Sequence, residues 1–478
     1  MEREDEETGM IEKEEGGKKV WKDVVIGVLL LCTLSLGIST ALLAAKAANK
    51  ASSIGEFFCQ ISGTIPSTPA PAPSPPVIST ELSKVVDETM SACSNQGYKY
   101  TGETNCTCMD CYTGARCQTF VGADKCSIDA NGGSPYMFAE YWVRYPETEF
   151  QMKLSERLGY LPAGIRSRLE EGIRKLHKLA GNAVTDNMNI VFGDGSTPLL
   201  TLVSTILQSS TNSLPLKVWA QKPFYSGYSS LSYANLVKFV GDEENRTTAA
   251  ADEKVVEYVT SPNNPDGEIR TGVLSHPLTV FDKAYSWPMY TFIDQPFNTS
   301  AHPLSLWTLS KVTGHASSRV GWALVGDKKL ADAMQAMACP IGCPVESQLV
   351  AIRAIEHVLS TQGELMKWGR AKFTERWGRI GEVFRNVSCY KVRNPRAEGY
   401  DRYDQKVYKQ TPPYLWMECL NLPDQKSCGD MLRSYGMKCR DGEYFGMPKS
   451  FARLSLYVAS PVFNVLIQKL TNMFANTC

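Results

Sequence analysis

The pattern of apolar and polar residues divides this chain before any motif does. Residues 1–23 are polar and acid-rich, and 24–45 then carry no charge. About 22 such residues rise roughly 33 Å as a helix, enough to cross a bilayer. The run is apolar on every face, unlike a core helix. It is also longer than the apolar part of a cleavable signal peptide, so it predicts a membrane anchor. Residues 65–76 are proline-rich and predict an extended, semi-rigid spacer.

From Ser134 the pattern becomes that of a mixed α/β domain. Residues 165–180 place apolar side chains at helical spacing and stop at Gly181, a favoured helix end. Residues 189–192 predict a strand running into Gly193-Asp194-Gly195-Ser196-Thr197, after which Pro198 opens an apolar helix through Leu207. A glycine-rich turn between strand and helix offers free backbone N–H groups to an anion. Residues 255–259, 278–281 and 306–309 read as further strands, each followed at once by a polar motif. Open α/β sheets bind ligands at such strand ends. Beyond Cys339 come long amphipathic helices at 348–359 and 364–383, a strand at 454–457 and a last helix from Pro461.

Lys and Arg balance Asp and Glu at 50 each, which argues against the basic excess of a nucleic-acid binder. Lys18, Lys19 and Lys22 precede the apolar run, and Lys46 and Lys50 follow it. That bias favours a cytosolic N-terminus, with the rest in the secretory lumen or outside the cell. Cysteine usage agrees: Cys93, Cys106, Cys108, Cys111, Cys117 and Cys126 crowd one segment among glycines, as in a disulfide module of an oxidising compartment. Cys108-Met109-Asp110-Cys111 could also begin a zinc site, but no second CxxC or local histidine completes one. Sequons at Asn105, Asn245, Asn298 and Asn386 fit lumenal exposure.

Candidate chemistry concentrates in three motifs: Asn264-Pro265-Asp266-Gly267, Asp282-Lys283-Ala284-Tyr285, and 310–321 with Lys311 and Arg319 among small residues. A pyridoxal-phosphate site needs a lysine to condense with the cofactor, a carboxylate against the ring nitrogen, phosphate donors and an arginine for the substrate carboxylate. Lys311, Asp282 and Arg319 are the candidates for the first three roles. Tyr285 and Asn264 could meet the ring's phenolate oxygen, although the Asn264 segment is a turn by composition. Asp282 could instead cap a helix, Arg319 could lie on the surface, and His315 reads first as a packed histidine.

Together these segments resemble the fold-type I pyridoxal-phosphate enzymes, and among them the plant alliinase and tryptophan-aminotransferase-related family, over roughly residues 90–478. The specific pieces are 260–267, 310–324, Pro223-Phe224-Tyr225-Ser226 and 176–182. The resemblance implies a mostly parallel seven-stranded sheet in a large domain and an α+β small domain. It divides the chain into a tail at 1–23, the anchor at 24–45, a stalk at 46–88 and an EGF-like module at 89–133. The small domain would span 134–180 and 340–478, and the large domain 181–339. It implies the pairs Cys93–Cys106, Cys108–Cys117, Cys111–Cys126 and Cys419–Cys428. It further implies that Tyr225 stacks on the cofactor, and that Gly193, Asp194, Gly195, Ser196 and Thr308 help bind it. Arg453 would hold the substrate carboxylate, and Tyr160 would reach a neighbouring subunit's site in a homodimer.

Two departures from the family pattern stand out. Asp194 sets a carboxylate inside the phosphate loop and must turn away from it, and Ser286 replaces a common second tyrosine. Asn-Pro-Asp-Gly and Pro-Phe-Tyr-Ser lean towards the aminotransferase branch, hence an aromatic amino acid, tryptophan first, and a 2-oxo acid acceptor. The alternatives are carbon–sulfur lysis of an S-alkyl-cysteine sulfoxide and a membrane-tethered binding protein without activity.

Overall fold

A computed structural model describes residues 92–478 except 95, 100–103, 146–147, 149–164, 211–214, 233–236, 243–254, 275–277, 300–303 and 424. The expected tail, anchor, stalk and Tyr160 lie outside the described residues. Among those described, no helix is long and apolar enough to cross a membrane.

A seven-stranded sheet organises the centre of the described chain. Its strands are β1 (Asn189–Gly193), β2 (Leu216–Trp219), β3 (Val237–Gly241), β4 (Val255–Thr260), β5 (Thr279–Asp282), β6 (Leu304–Thr308) and β7 (Gly321–Val325). They lie in the order β1-β7-β6-β5-β4-β2-β3. Only β7 runs antiparallel to its neighbours. Every residue of β4, β6 and β7 is buried, because both faces of the sheet are covered. Against one face α2 (Ser196–Ser210) packs Leu199, Leu200 and Val203, beside Met334 of α3 (Lys328–Ile341). Trp307 and Trp322 belong to the second core, which also takes in α1 (Ile165–Ala180) through Leu169, Ile173 and Leu176.

The expected helix at 165–180 forms with those bounds, and Gly181 follows it at φ +67°. The helix expected from Pro198 starts earlier, at Ser196, since a proline in the first turn gives up no needed hydrogen bond. The strand expected at 306–309 is displaced to Leu304–Thr308, because Thr308 caps a one-turn helix, Leu309–Val312, and ends the ladder. The strand expected at 454–457 lies at Phe451–Ser455. Strands β2 and β3 carried no clear pattern of their own.

Beyond β7 come α3, α4 (Val345–Ser360) and α5 (Glu364–Val383), then a four-stranded sheet. That sheet orders β8 (Tyr390–Val392), β9 (Tyr414–Cys419), β11 (Phe451–Ser455) and β10 (Arg440–Asp441) side by side, and α6 (Ser460–Thr477) ends the chain. The buried Arg376 of α5 donates to the carbonyls of Leu456 and Val458, fixing the passage from β11 to α6.

The described cysteines form Cys93–Cys106, Cys108–Cys117, Cys111–Cys126 and Cys419–Cys428. A bridge that the sequence did not assign, Cys389–Cys478, ties the end of α6 to the start of β8. With all six cysteines of the N-terminal cluster in bridges, none is left for zinc. The chain leaving Cys126 pairs with Met437–Lys438 in a two-stranded sheet beside the four-stranded one: the N–H groups of Ile128 and Ala130 donate to Gly436 and Lys438 carbonyls, and Ser455 N–H donates to Ala130. Asn105, Asn298 and Asn386 are exposed.

Candidate active site

Register across the main sheet levels the ends of three strands. Asp282 lies opposite both Thr260 and Leu306, and Thr308 lies opposite Gly321. Thr260, Asp282 and Thr308 therefore open onto one cavity of about 260 Å³, which Lys311, Arg319, Tyr225, Asn264, Tyr285 and Arg453 also line.

The Thr308 hydroxyl accepts from the Ser310 N–H at 3.2 Å, and this cap starts the single helical turn that carries Lys311. Lys311 Nζ donates to the Gly133 carbonyl at 2.6 Å and lies 5.2 Å from the centre of the Tyr457 ring. A Cβ on Gly133 would come 2.5 Å from the Tyr414 hydroxyl and 3.3 Å from Lys311 Nζ, so glycine is what lets backbone reach the amine. Burial holds the Lys311 ammonium below its ordinary pKa. Arg453 and Arg319 push the same way, against Tyr414 and Asp282.

Asp282 is 3% exposed. Burial raises its carboxyl to about 6, although the Ala284 N–H, at 3.1 Å, and two lysines favour the charged form. Its neighbour Lys283 instead places Nζ 4.3 Å from the centre of the Phe297 ring.

Asn264 is both turn and site residue. Gly267 N–H closes the turn on Asn263, while Asn264 Nδ2 donates to the Tyr285 hydroxyl at 3.3 Å. The Tyr285 and Tyr414 hydroxyls share a hydrogen bond of 2.9 Å. Burial raises both phenols, but Lys311 and Arg453 face Tyr414 and bring it below its ordinary value, so Tyr414 is the more acidic of the pair.

At the anion end, Arg319 adopts φ +50° and donates from Nη2 to the Asp194 carbonyl at 2.9 Å. Gly195, at φ +99°, leaves room for that guanidinium, since a Cβ would sit 2.7 Å from Nη2. Ser196 and Thr197, the first residues of α2, line the cavity with their helix N-terminus. Gly193, Asp194 and Gly195 do not line it. They stand behind Arg319, and Asp194 keeps one carboxyl oxygen buried without a partner.

His315 is packed against Trp142 at 4.9 Å and hydrogen-bonds Thr313, outside the cavity lining. The 176–182 segment has a structural role. Trp322 Nε1 donates to His177 Nε2 at 2.9 Å, which leaves His177 Nδ1–H to donate to Asn182 at 2.8 Å. Asn182 Nδ2 in turn donates to the Ser286 carbonyl at 2.7 Å, steadying the loop after Asp282. Tyr414, Arg440, Gly133 and Ser134 also line the cavity and were not singled out in the sequence. They sit in no recognisable motif: Tyr414 and Arg440 arrive by strand pairing, and Gly133 and Ser134 lie in the loop before Tyr136.

The donor set fits pyridoxal phosphate: an amine with lowered pKa, a buried carboxyl, a helix N-terminus beside an arginine, two phenols and a buried arginine. The family model described as allinase matches residues 128–474. Tryptophan aminotransferase-related protein 3 of Arabidopsis thaliana is 35% identical over 404 residues, covering 79% of this chain and 86% of that protein. Alliin lyase 1 of Allium sativum is 28% identical over 393 residues, covering 78% and 80%. The histidinol-phosphate aminotransferase from Clostridium acetobutylicum superposes with a TM-score of 0.53 at 15% identity, over 73% of this chain and 99% of that one, a likeness of fold.

Proposed function

The chain belongs to the alliinase family of pyridoxal-phosphate-dependent enzymes, and from that premise we propose that it is an aminotransferase for an aromatic L-amino acid. The substrate is L-tryptophan, the product indole-3-pyruvate, and the acceptor a 2-oxo acid, a step of the kind used in auxin biosynthesis. One observation carries the reading: a single lysine, Lys311, shares a cavity with the buried acid Asp282 and the buried arginine Arg453. When bound, the cofactor supplies the electron sink for the bond broken at the substrate's Cα.

The chain's own groups have distinct tasks. Lys311 holds the cofactor and moves the Cα proton, which its lowered pKa favours. The Asp282 carboxylate keeps the ring nitrogen protonated. Tyr225 would hold the ring by its face, and Tyr285 with Asn264 would hold its phenolic oxygen, all three lining the cavity. Arg319, Ser196 and Thr308 serve the phosphate, with the backbone of Gly193, Asp194 and Gly195 shaping the turn behind it. Arg453 takes the substrate carboxylate.

Carbon–sulfur lysis is the second reading, and Tyr414 favours it. A phenol made more acidic by Lys311 and Arg453 could hand a proton to a sulfur leaving group. The greater identity to the aminotransferase-related relative supports transamination. The full-length protein, given tryptophan with a 2-oxo acid, should yield indole-3-pyruvate. Pyruvate released from an S-alkyl-cysteine sulfoxide without any acceptor would overturn the assignment.

The same reading places the enzyme on a secretory membrane. The apolar run at 24–45 anchors it, an EGF-like module follows the stalk, and the catalytic part is lumenal or extracellular. It also makes the protein a homodimer with Tyr160 reaching across. Protease protection of sealed microsomes tests the topology, and sedimentation of the detergent-solubilised protein tests the dimer.

A further inference from the structure

The cavity holds one more guanidinium than a monocarboxylic amino acid needs. Arg440 of β10 lies directly opposite Arg453 of β11 in the antiparallel register, and both line the cavity. Residues paired in this way have Cα atoms about 5 Å apart and project to the same face of the sheet. The two arginines also share a neighbour. Arg453 Nη2 donates to the Asn131 carbonyl at 2.6 Å, and Arg440 Nε donates to Asn131 Oδ1 at 3.0 Å. Arg440 Nη1 donates to the Ser226 hydroxyl at 3.0 Å, and the guanidinium carbon lies 5.9 Å from the centre of the Tyr444 ring.

All of these acceptors are neutral. Among the described residues no carboxylate pairs with Arg440, and the adjacent Asp441 is taken by Arg433 at 3.0 Å. The described cavity lining carries four basic side chains, Lys311, Arg319, Arg440 and Arg453, against the single acid Asp282. The cofactor accounts for Lys311, Asp282 and Arg319, and a substrate α-carboxylate accounts for Arg453. Nothing in that accounting answers Arg440. A half-buried guanidinium held in place by neutral groups, at the edge of a substrate cavity, is a preformed seat for a second anion.

We propose that Arg440 binds the distal carboxylate of a short dicarboxylic substrate, so that the enzyme's 2-oxo acid acceptor is a diacid of the 2-oxoglutarate type. Asn131 is the positioning residue, because it bridges the two guanidiniums and sets their separation. The aromatic donor then enters with its ring where the second carboxylate would lie, and Arg440 can meet the ring's face as a cation. The proposal rests on the cavity being an amino-acid site, and for the acceptor on the aminotransferase reading.

Glutarate and butyrate differ by the second carboxylate and neither reacts, so their binding to the cofactor-loaded, full-length protein is the test, by calorimetry or tryptophan fluorescence. Wild type should bind glutarate at least about tenfold more tightly than butyrate, the weight of one charge-assisted hydrogen bond. Arg440→Gln should erase that preference while changing butyrate affinity far less, and Arg440→Lys should keep part of it. Acceptor kinetics should follow, with KM for 2-oxoglutarate rising in Arg440→Gln by a larger factor than KM for pyruvate. Equal binding of the two acids by wild type, or a glutarate preference that survives Arg440→Gln, overturns the proposal. The binding comparison needs no turnover, so it decides whether Arg440 seats a second carboxylate even if the enzyme proves to be a lyase.

Discussion

Arg453 donates from Nη1 to the Asn264 side-chain oxygen at 2.8 Å, so one hydrogen bond joins β11 of the second sheet to the loop that leaves β4. The contact holds the guanidinium at the cavity wall, while its Nε remains buried without a partner. Arg453→Ala should raise KM and lower kcat/KM by roughly ten- to hundredfold, the scale of a lost charge-assisted hydrogen bond. Asn264→Ala should give a smaller loss in the same direction. Steady-state kinetics with the amino donor varied checks both, and an unaltered kcat/KM in Arg453→Ala would remove that residue from the substrate site.

Lys311→Ala should abolish turnover and the visible absorption of bound cofactor. In wild type, burial and two arginines disfavour the ammonium, so the neutral amine is available at a lower pH than for a free lysine. Cofactor uptake by the apoprotein should therefore accelerate with a midpoint below the ordinary lysine value. The sign for stability is the same: the folded state binds fewer protons here than the unfolded chain, so this group adds stability as pH rises towards that ordinary value. Stopped-flow absorbance across pH measures the uptake.

Asp282 has the opposite linkage. Burial raises its carboxyl to about 6, above the unfolded value, so the folded apoprotein binds the extra proton. Its contribution is favourable at low pH and is lost as pH rises through about 6. Asp282→Asn removes a buried charge that costs about 3 kcal/mol at neutral pH by the linkage relation. The apo variant should thus melt at a higher temperature than wild type at pH 7, and the gap should shrink at pH 4. Turnover should fall sharply, and an unchanged kcat would show that another group protonates the ring.

The Cys389–Cys478 bridge closes a loop of 89 residues between β8 and the chain end. Chain-entropy reasoning assigns such a closure roughly 4–5 kcal/mol. Replacing both cysteines with serine should lower the denaturant midpoint and release α6 first, read as faster amide exchange from 460 to 477. A midpoint unmoved by the double substitution would show that packing of α6 alone holds it.

The motif-bearing strand ends were legible in the sequence because their chemistry is local. Asp282, Lys311 and Thr308 each sit at or just beyond a strand end, and short polar motifs after apolar runs mark such places. Helices at 165–180 and 364–383 were legible through their period. Strands β2 and β3 were not, since four or five mixed residues show no alternation. Arg440 and Tyr414 escaped for a different reason. A residue on a short strand of the second sheet reaches the cavity only through its pairing partner, and pairing leaves no trace in a single sequence. Asp194 sits inside a phosphate-loop motif, yet the positive φ of Gly195 turns the backbone so that only Ser196 and Thr197 face the cavity.

Asn131 receives a hydrogen bond from each of the paired arginines, and it lies a few residues past Cys126, whose bridge to Cys111 clamps that stretch of chain. Between that bridge and Asn131, the N–H groups of Ile128 and Ala130 donate to the Gly436 and Lys438 carbonyls, so the backbone that carries Asn131 is held from both sides. The two cations of the second sheet thus share one anchor, and a change of side chain at position 131 would be felt by both at once.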